Sequence, residues 1–444
     1  MRPAERLSGL IRLLLSPGGQ IAAWIGAAAF GVYGVIASLH DFARFPGWPA
    51  NTDTSLYIRA ADAVLAGVSP HSEQPILSDP YAYPPFLASF HALLELALGG
   101  GHGRSWMLWA LVGEVALAAG IIQLMRGFGR KAPWSWTALA VAIALASHLS
   151  RIDFVHGQTN TLIFCLAVTG LRFHLAGRTL PGALIWGAAF AIKPFIGVMA
   201  FYLMRRGEWK AAFGCIASAA VFFVVPFLRW GADAPHIFMG WMNVSHFYTS
   251  LPAVAKSDNY SAYGFFHRIF GETEFATPWV QAPLLILPAT ALIAAAGITA
   301  VAFGVRGRRF AADPADTRAP LALLELGVVL GAALCAGPLF EGDYAFYLLP
   351  GLAGAVWLAM QRLRERSLDA AAMIWCAALW ALPFVLVFMP VQMWFLRAPV
   401  WGRLEGAWQL LGARNGALFL IATLASGWTL WREHRNPTVT FATV

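Results

Sequence analysis

Apolar runs of bilayer length recur along this chain, and they limit the fold more than any other feature. Residues 21–39 read IAAWIGAAAFGVYGVIASL, residues 282–303 read APLLILPATALIAAAGITAVAF, and residues 371–389 read AAMIWCAALWALPFVLVFM. A helix needs roughly 17–25 such residues to cross a hydrocarbon core. No water inside a bilayer can satisfy a bare backbone, so segments like these are helical. Of 444 residues, 59% are hydrophobic and 12% charged, about half the charge of a typical soluble domain. The expected fold class is an all-α polytopic membrane protein with about ten to twelve membrane segments.

The charges orient it. Nineteen of the 31 lysines and arginines fall in seven short places: 2–12, 126–131, Arg178, 205–210, 306–318, 362–366 and 432–435. The positive-inside rule puts all seven in the cytoplasm. The intervals 41–82, 150–160, 229–279, 340–343 and 396–413 then lie outside. Residues 1–18, with Arg2, Arg6 and Arg12, read as an interfacial cytoplasmic segment and not as a cleavable signal. Residues 19–431 read as one integral-membrane domain and 432–444 as a cytoplasmic tail, with no internal repeat. The net charge of +8 follows from this topology, so no nucleic-acid partner is expected.

Two segments break the alternation. Residues 84–98 are short, open with Pro-Pro, and are expected to lie on the outer surface or dip in without crossing. Residues 181–204 have inner charges on both flanks and are split by Lys193–Pro194. Two half-length helices or a re-entrant hairpin fit that charge pattern, and such backbone is tolerated only where buried or lining a cavity. Cys165, Cys215, Cys335 and Cys376 all sit in apolar runs and read as packing residues. There is no CxxC and no His-Glu cluster, so neither metal nor cofactor is expected.

Polar groups gather on the outer side, and each reads two ways. Asp53 opens an amphipathic stretch with Tyr57, capped by Asn51 or Thr52; it is a helix-dipole partner or a catalytic acid or base. In SDPYAYPPF, residues 78–86, two prolines stiffen the entry to a helix and aim Tyr81 and Tyr83 at the interface, as membrane anchors or substrate contacts. Arg151, Asp153, His156, Gln158 and Asn160 share one short link, a solvated loop or a polar cleft wall, with Gly157 permitting close backbone approach. Arg268 follows two phenylalanines, and either snorkels or grips a phosphate. Lys193 needs a partner at membrane depth. Glu341 and Asp343 put two carboxylates in the tight link EGDY.

These motifs, in this order, resemble glycosyltransferase family 87 of the GT-C superfamily. Asp53 with Tyr57, AGVSPH and YAYPPF is similar to that family's first outer loop. HGQTN followed by AAFAIKPFIGVMAFYLMRRGEWKAA is similar to its second signature. NYSAYGFFHRIF, which brings in Asn259, and AGPLFEGDYAFYLLP are similar to its later elements. The resemblance runs from about residue 51 to 352. It implies a GT-C fold and transfer of a sugar, mannose in known members, from a polyprenyl-phosphate donor to a lipid or glycan acceptor. The reaction would run outside the bacterial plasma (inner) membrane, among membrane lipids, with Asp53 matching the superfamily's catalytic base. One departure stands out: the late element opens on Gly337 and carries Glu341 and Asp343 where known members place a histidine.

The chemistry required is a base for the acceptor hydroxyl, cations for the departing phosphate and a lipid-open cleft. Asp53 answers the first. Arg268, Lys193 and Arg151 are the phosphate candidates. Tyr57, Tyr81, Tyr83, His156, Gln158, Asn160, Asn259, Glu341 and Asp343 are the substrate-contact candidates. The competing readings are a transporter or flippase, which also uses broken helices, and a polysaccharide polymerase or ligase fed by polyprenyl-linked substrates.

Overall fold

The computed structural model describes residues 9, 12–44, 53–71, 81–100, 102–129, 132–248, 254–255, 259–273, 276–305, 307, 315–364, 370–388 and 407–435. The expected cap at Asn51 or Thr52, most of the 1–18 segment and the tail beyond 435 lie outside these. The described residues form an all-α protein with one isolated bridge between Thr273 and Ala276.

The first group of helices is α1 (Pro17–Arg44), α2 (Asp53–Leu65), α3 (Pro85–Ala97), α4 (His102–Arg126), α5 (Trp134–Ala146), α6 (His148–His156), α7 (Asn160–Leu175), α8 (Thr179–Ile192), α9 (Val198–Arg205) and α10 (Trp209–Val224). Then come α11 (Ala234–Tyr248), α12 (Ala262–Phe270), α13 (Ile286–Gly304), α14 (Ala315–Ala336), α15 (Leu349–Arg364), α16 (Ala370–Phe388) and α17 (Ala407–Arg435). Among the described residues six helices or helix runs are long and apolar enough to cross a membrane. The bent pair α5–α6, broken by 56°, makes a seventh. Five more apolar helices are shorter.

Exposure separates the lipid-facing helices from the central one. In α1 only 11% of the most apolar window is buried, whereas in Arg318–Ala336 of α14 the figure is 83%. The helix α14 is therefore the hub, packed by α13, α15 and α17. The other cluster runs α4–α7–α8–α10, with α1 on α5. The 3₁₀ segment Gly342–Leu348 packs on both α6 and α7 and on α14 and α15, so the EGDY link ties the two groups together.

Local sequence explains the breaks. Proline pushes the preceding residue out of the helical region, and Lys193 is extended at φ −126°, ψ 106° between α8 and the 3₁₀ turn Pro194–Gly197. Pro85 starts α3 as a first-turn proline. Ser147 caps α6 by accepting from the Ser150 amide at 3.2 Å. Of the expected outer interval 396–413, residues 407–413 are already the start of α17.

Gly157 ends α6 in the left-handed region, φ 63°. A Cβ there would stand 2.7 Å from Thr54 Oγ1 of α2, the residue after Asp53. Its carbonyl also accepts from Trp109 Nε1 at 2.8 Å. Glycine thus serves twice, for backbone conformation and for docking α6 against the first turn of α2. Gly157→Ala is expected to push these elements apart. A misplacement of about 1 Å costs catalysis on the order of 10²-fold, so turnover should drop by about that factor, measured at saturating substrates. Unchanged turnover would mean that α6 and α2 are free to shift.

Candidate functional site

Asp53 lies in the first turn of α2, with its side chain 31% exposed. The far end of α2 is held by Arg229, whose Nη2 donates to the Leu65 carbonyl at 3.2 Å. The Asp53 Oδ2 accepts a short hydrogen bond from Gln158 Nε2. Its Oδ1 faces His156 Nδ1 at 4.0 Å, with the histidine 36% exposed. Gln158 Oε1 in turn accepts from the Tyr83 hydroxyl at 2.8 Å. Residues 53, 83, 156 and 158 therefore form one half-open cluster contributed by α2, the Pro-Pro entry of α3 and the α6–α7 link.

Aromatic rings wall this cluster. Tyr57 contacts Tyr83 edge-on at 5.3 Å and Tyr81 at 6.3 Å, and stacks on His91 at 5.3 Å with planes 2° apart. Burial, then the neighbouring Tyr83 and Asp53, holds the Tyr57 phenol well above its usual range, so it stays protonated. Burial also pushes the His71 ring down to about 4; its Nδ1 lies 3.0 Å from the Tyr81 carbonyl oxygen. Tyr81 is 1% exposed and its hydroxyl donates to the Pro84 carbonyl at 3.3 Å. Tyr81 thus turns inward against Tyr57, where the sequence had both Tyr81 and Tyr83 facing the interface, and Tyr57 is as deeply buried. Trp241 of α11 pins the same segment by donating to the Ala82 carbonyl at 3.0 Å.

Behind Tyr83 lies a second polar cluster. The Lys193 ammonium sits 4.1 Å from the Tyr344 ring centroid and 5.7 Å from that of Tyr83, favourable cation–π distances. It donates to Asn160 Oδ1 at 2.5 Å, and the Tyr347 hydroxyl donates to the same oxygen at 2.6 Å. Asn160 Nδ2 donates to Asp153 Oδ1 at 2.9 Å, while Thr161 supplies its amide and hydroxyl to Oδ2. Lys193 is 5% exposed, Asp153 3% and Asn160 0%. In this geometry Asn160 and Lys193 brace the broken helix from inside. Tyr344, Tyr347 and Thr161 were not among the candidates drawn from the sequence. The legible signal was two tyrosines three residues apart after a tight link, which share a face only once that link is a 3₁₀ turn.

Arg268 and Asn259 lie elsewhere. The helix α12 packs on α13 and α17. Arg268 is fully buried, its Nη2 donating to the Asn259 carbonyl at 2.9 Å. Asn259 Nδ2 donates to the carbonyls of Val254 and Pro338, and its Oδ1 accepts from the amides of Ser261 and Phe340. That fills the Asn259 amide's hydrogen-bonding capacity, so Asn259 ties its own segment to 338–340 and Arg268 braces the Asn259 carbonyl, where the sequence suggested ligand contacts. Arg151 is half-buried on α6, its guanidinium 5.9 Å from the Tyr33 ring of α1. Glu341 is half-buried, and its carbonyl accepts from the Tyr344 amide at 3.1 Å. Asp343 is placed only by its backbone in the 3₁₀ segment, its side chain lying outside the described residues.

The sequence matches glycosyltransferase family 87 over residues 81–338, more than half of the chain. The protein belongs to glycosyltransferase family 87. No curated protein and no solved structure matches it. Membership of family 87 makes it a membrane glycosyltransferase, and the all-α multi-pass fold is consistent with the GT-C superfamily. The match covers Tyr83, His156, Gln158 and Lys193 but begins after Asp53 and ends before Glu341. In this family 87 protein the case for Asp53 therefore rests on its geometry and on the motif resemblance around it.

Proposed function

We propose that this family 87 transferase moves a sugar, mannose, from a polyprenyl-phosphate donor to a lipid or glycan acceptor on the extracytoplasmic face of the bacterial plasma membrane. The observation that carries the reading is the half-exposed carboxylate of Asp53, anchored through one oxygen and turned toward an exposed His156. The acceptor hydroxyl gives its proton to Asp53 as its oxygen bonds to the sugar's C1. The bond from C1 to the phosphate oxygen breaks, and its electron pair leaves with the polyprenyl phosphate. General-base help of this kind contributes about 10²–10⁴-fold. Arg151, half-buried on the helix that carries His156, is the cation proposed for the departing phosphate. The tail of the donor would lie against lipid-facing apolar helices.

The test has two arms. Purified protein in lipid nanodiscs is given polyprenyl-phosphate [³H]mannose and a membrane lipid extract, and label is expected to move to a new lipid or glycan product. No transfer of label would overturn the mannose-donor reading. Separately, cysteine at exposed Ala66, after α2, is expected to react with an impermeant thiol reagent in intact spheroplasts. Cysteine at exposed Ala176, between α7 and α8, should react only after lysis. The reverse pattern would place the cluster on the cytoplasmic side.

A further inference from the structure

Resting on the reading of Asp53 as the base, the geometry points to Gln158 as a positioning residue, not a substrate ligand. Its amide occupies Asp53 Oδ2, so that Oδ1, on the side of His156, takes the acceptor's proton.

A carboxylate on a short side chain turns almost freely, because its terminal torsion is broad and two-fold. An ionised carboxylate only accepts hydrogen bonds. The group that Gln158 presents to Asp53 must therefore be its NH₂, and the short Nε2 contact to Oδ2 is that bond. The amide oxygen then points away and can only accept, which makes the Tyr83 hydroxyl the donor in the 2.8 Å bond to Oε1. The three groups have one self-consistent set of proton directions, running from Tyr83 through Gln158 to Asp53.

Tyr83 is itself held by ring contacts. Tyr57 meets it edge-on at 5.3 Å, and the Lys193 ammonium lies 5.7 Å from its centroid. Restraint therefore passes from the buried Lys193 cluster to the exposed carboxylate through Tyr83 and Gln158. Gln158 spends both ends of its amide on this chain. The other oxygen of Asp53 has room: His156 Nδ1 at 4.0 Å is beyond hydrogen-bond length. An acceptor hydroxyl entering between them meets Oδ1 and the imidazole together. The approach of the acceptor is thus set by which oxygen Gln158 covers. In the transfer itself the hydroxyl proton moves to Oδ1, the acceptor oxygen bonds to C1, and the phosphate departs with the electron pair of the broken C1–O bond.

The test is a double-mutant cycle on mannose transfer from polyprenyl-phosphate [³H]mannose to extracted membrane lipid. Gln158→Met keeps the length and removes both hydrogen bonds. It is expected to lower kcat by about 10–100-fold, with the KM values for donor and lipid acceptor changed less than about two-fold. In an Asp53→Asn background the same change should alter turnover by less than about two-fold, because a residue acting through Asp53 has nothing further to lose. Tyr83→Phe removes one hydroxyl and keeps the ring contacts, so it guards against misfolding of the first variant. It should lower kcat in the same direction by up to about 10-fold, again with KM unchanged. A raised KM at constant kcat, or losses that add to those of Asp53→Asn, would overturn the proposal and return Gln158 to substrate binding. Full kcat in Tyr83→Phe would overturn it as well. Full activity of Asp53→Asn alone would instead sink the base assignment on which it stands.

Discussion

Replacing Asp53 with asparagine is expected to lower turnover by about 10²–10⁴-fold, the range by which general-base catalysis typically contributes. Asparagine keeps the size of the side chain and an oxygen able to accept from Gln158, so α2 and the half-open cluster stay in place. What is lost is the proton acceptor on the His156 side. Donor affinity and thermal stability are expected to stay close to those of the unaltered protein, measured by binding of polyprenyl-phosphate mannose and by melting in detergent. Asp62→Asn is the control. Asp62 is exposed on the same helix, nine residues on, and should lose far less. Near-normal transfer by Asp53→Asn would move the base elsewhere, and Glu341, half-buried at the start of the 3₁₀ segment, would be the next carboxylate to replace.

Replacing Lys193 with methionine is expected to damage stability more than donor binding. The ammonium is buried at the point where an apolar helix breaks, and it donates to Asn160, which carries the link on to Asp153. Asp153 is itself buried and lies within reach of the Lys193 charge. Removing the ammonium takes a donor from the buried Asn160 oxygen, and a buried polar group left short of its partner costs about 1–3 kcal/mol. Lys193→Met should therefore lower the melting temperature and the yield of inserted protein. Adding Asp153→Asn should recover part of the loss, since groups in one network couple. An unchanged melting temperature with donor affinity weakened 10-fold or more would instead make the lysine a phosphate ligand.

The two variants separate a site from its support, and the sequence distinguishes these unevenly. The place of Asp53 in the first turn of α2 was legible because a first-turn carboxylate after an N-terminal span is a local pattern; its role as base remains a proposal. The break at Lys193–Pro194 was equally legible, since proline acts on its immediate neighbour. The roles of Arg268 and Asn259 were not. A buried arginine that donates to a backbone carbonyl has the same local sequence as one that meets a phosphate, and here the carbonyl it meets is that of Asn259, whose own amide is bonded to the 338–340 backbone. Tyr81 shows the same limit: the prolines stiffen its segment, but whether the ring turns toward lipid or toward Tyr57 depends on where α2 docks.

The amino-acid sequence by itself determined that this chain is helical and crosses a bilayer repeatedly, that one helix breaks at Lys193–Pro194, and which family it joins; the 56° bend between α5 and α6 it did not announce. Those properties follow from hydropathy, proline sterics and motif order, all of which act over a few residues to a few tens of residues. Only the tertiary structure decided which polar groups meet. Gln158 reaches Asp53 across 105 positions of chain and Tyr347 reaches Asn160 across 187. Pairings at such separations exist only once the helices have packed; for Tyr347 and Asn160 that packing also excludes water and leaves the buried polar groups only one another as partners.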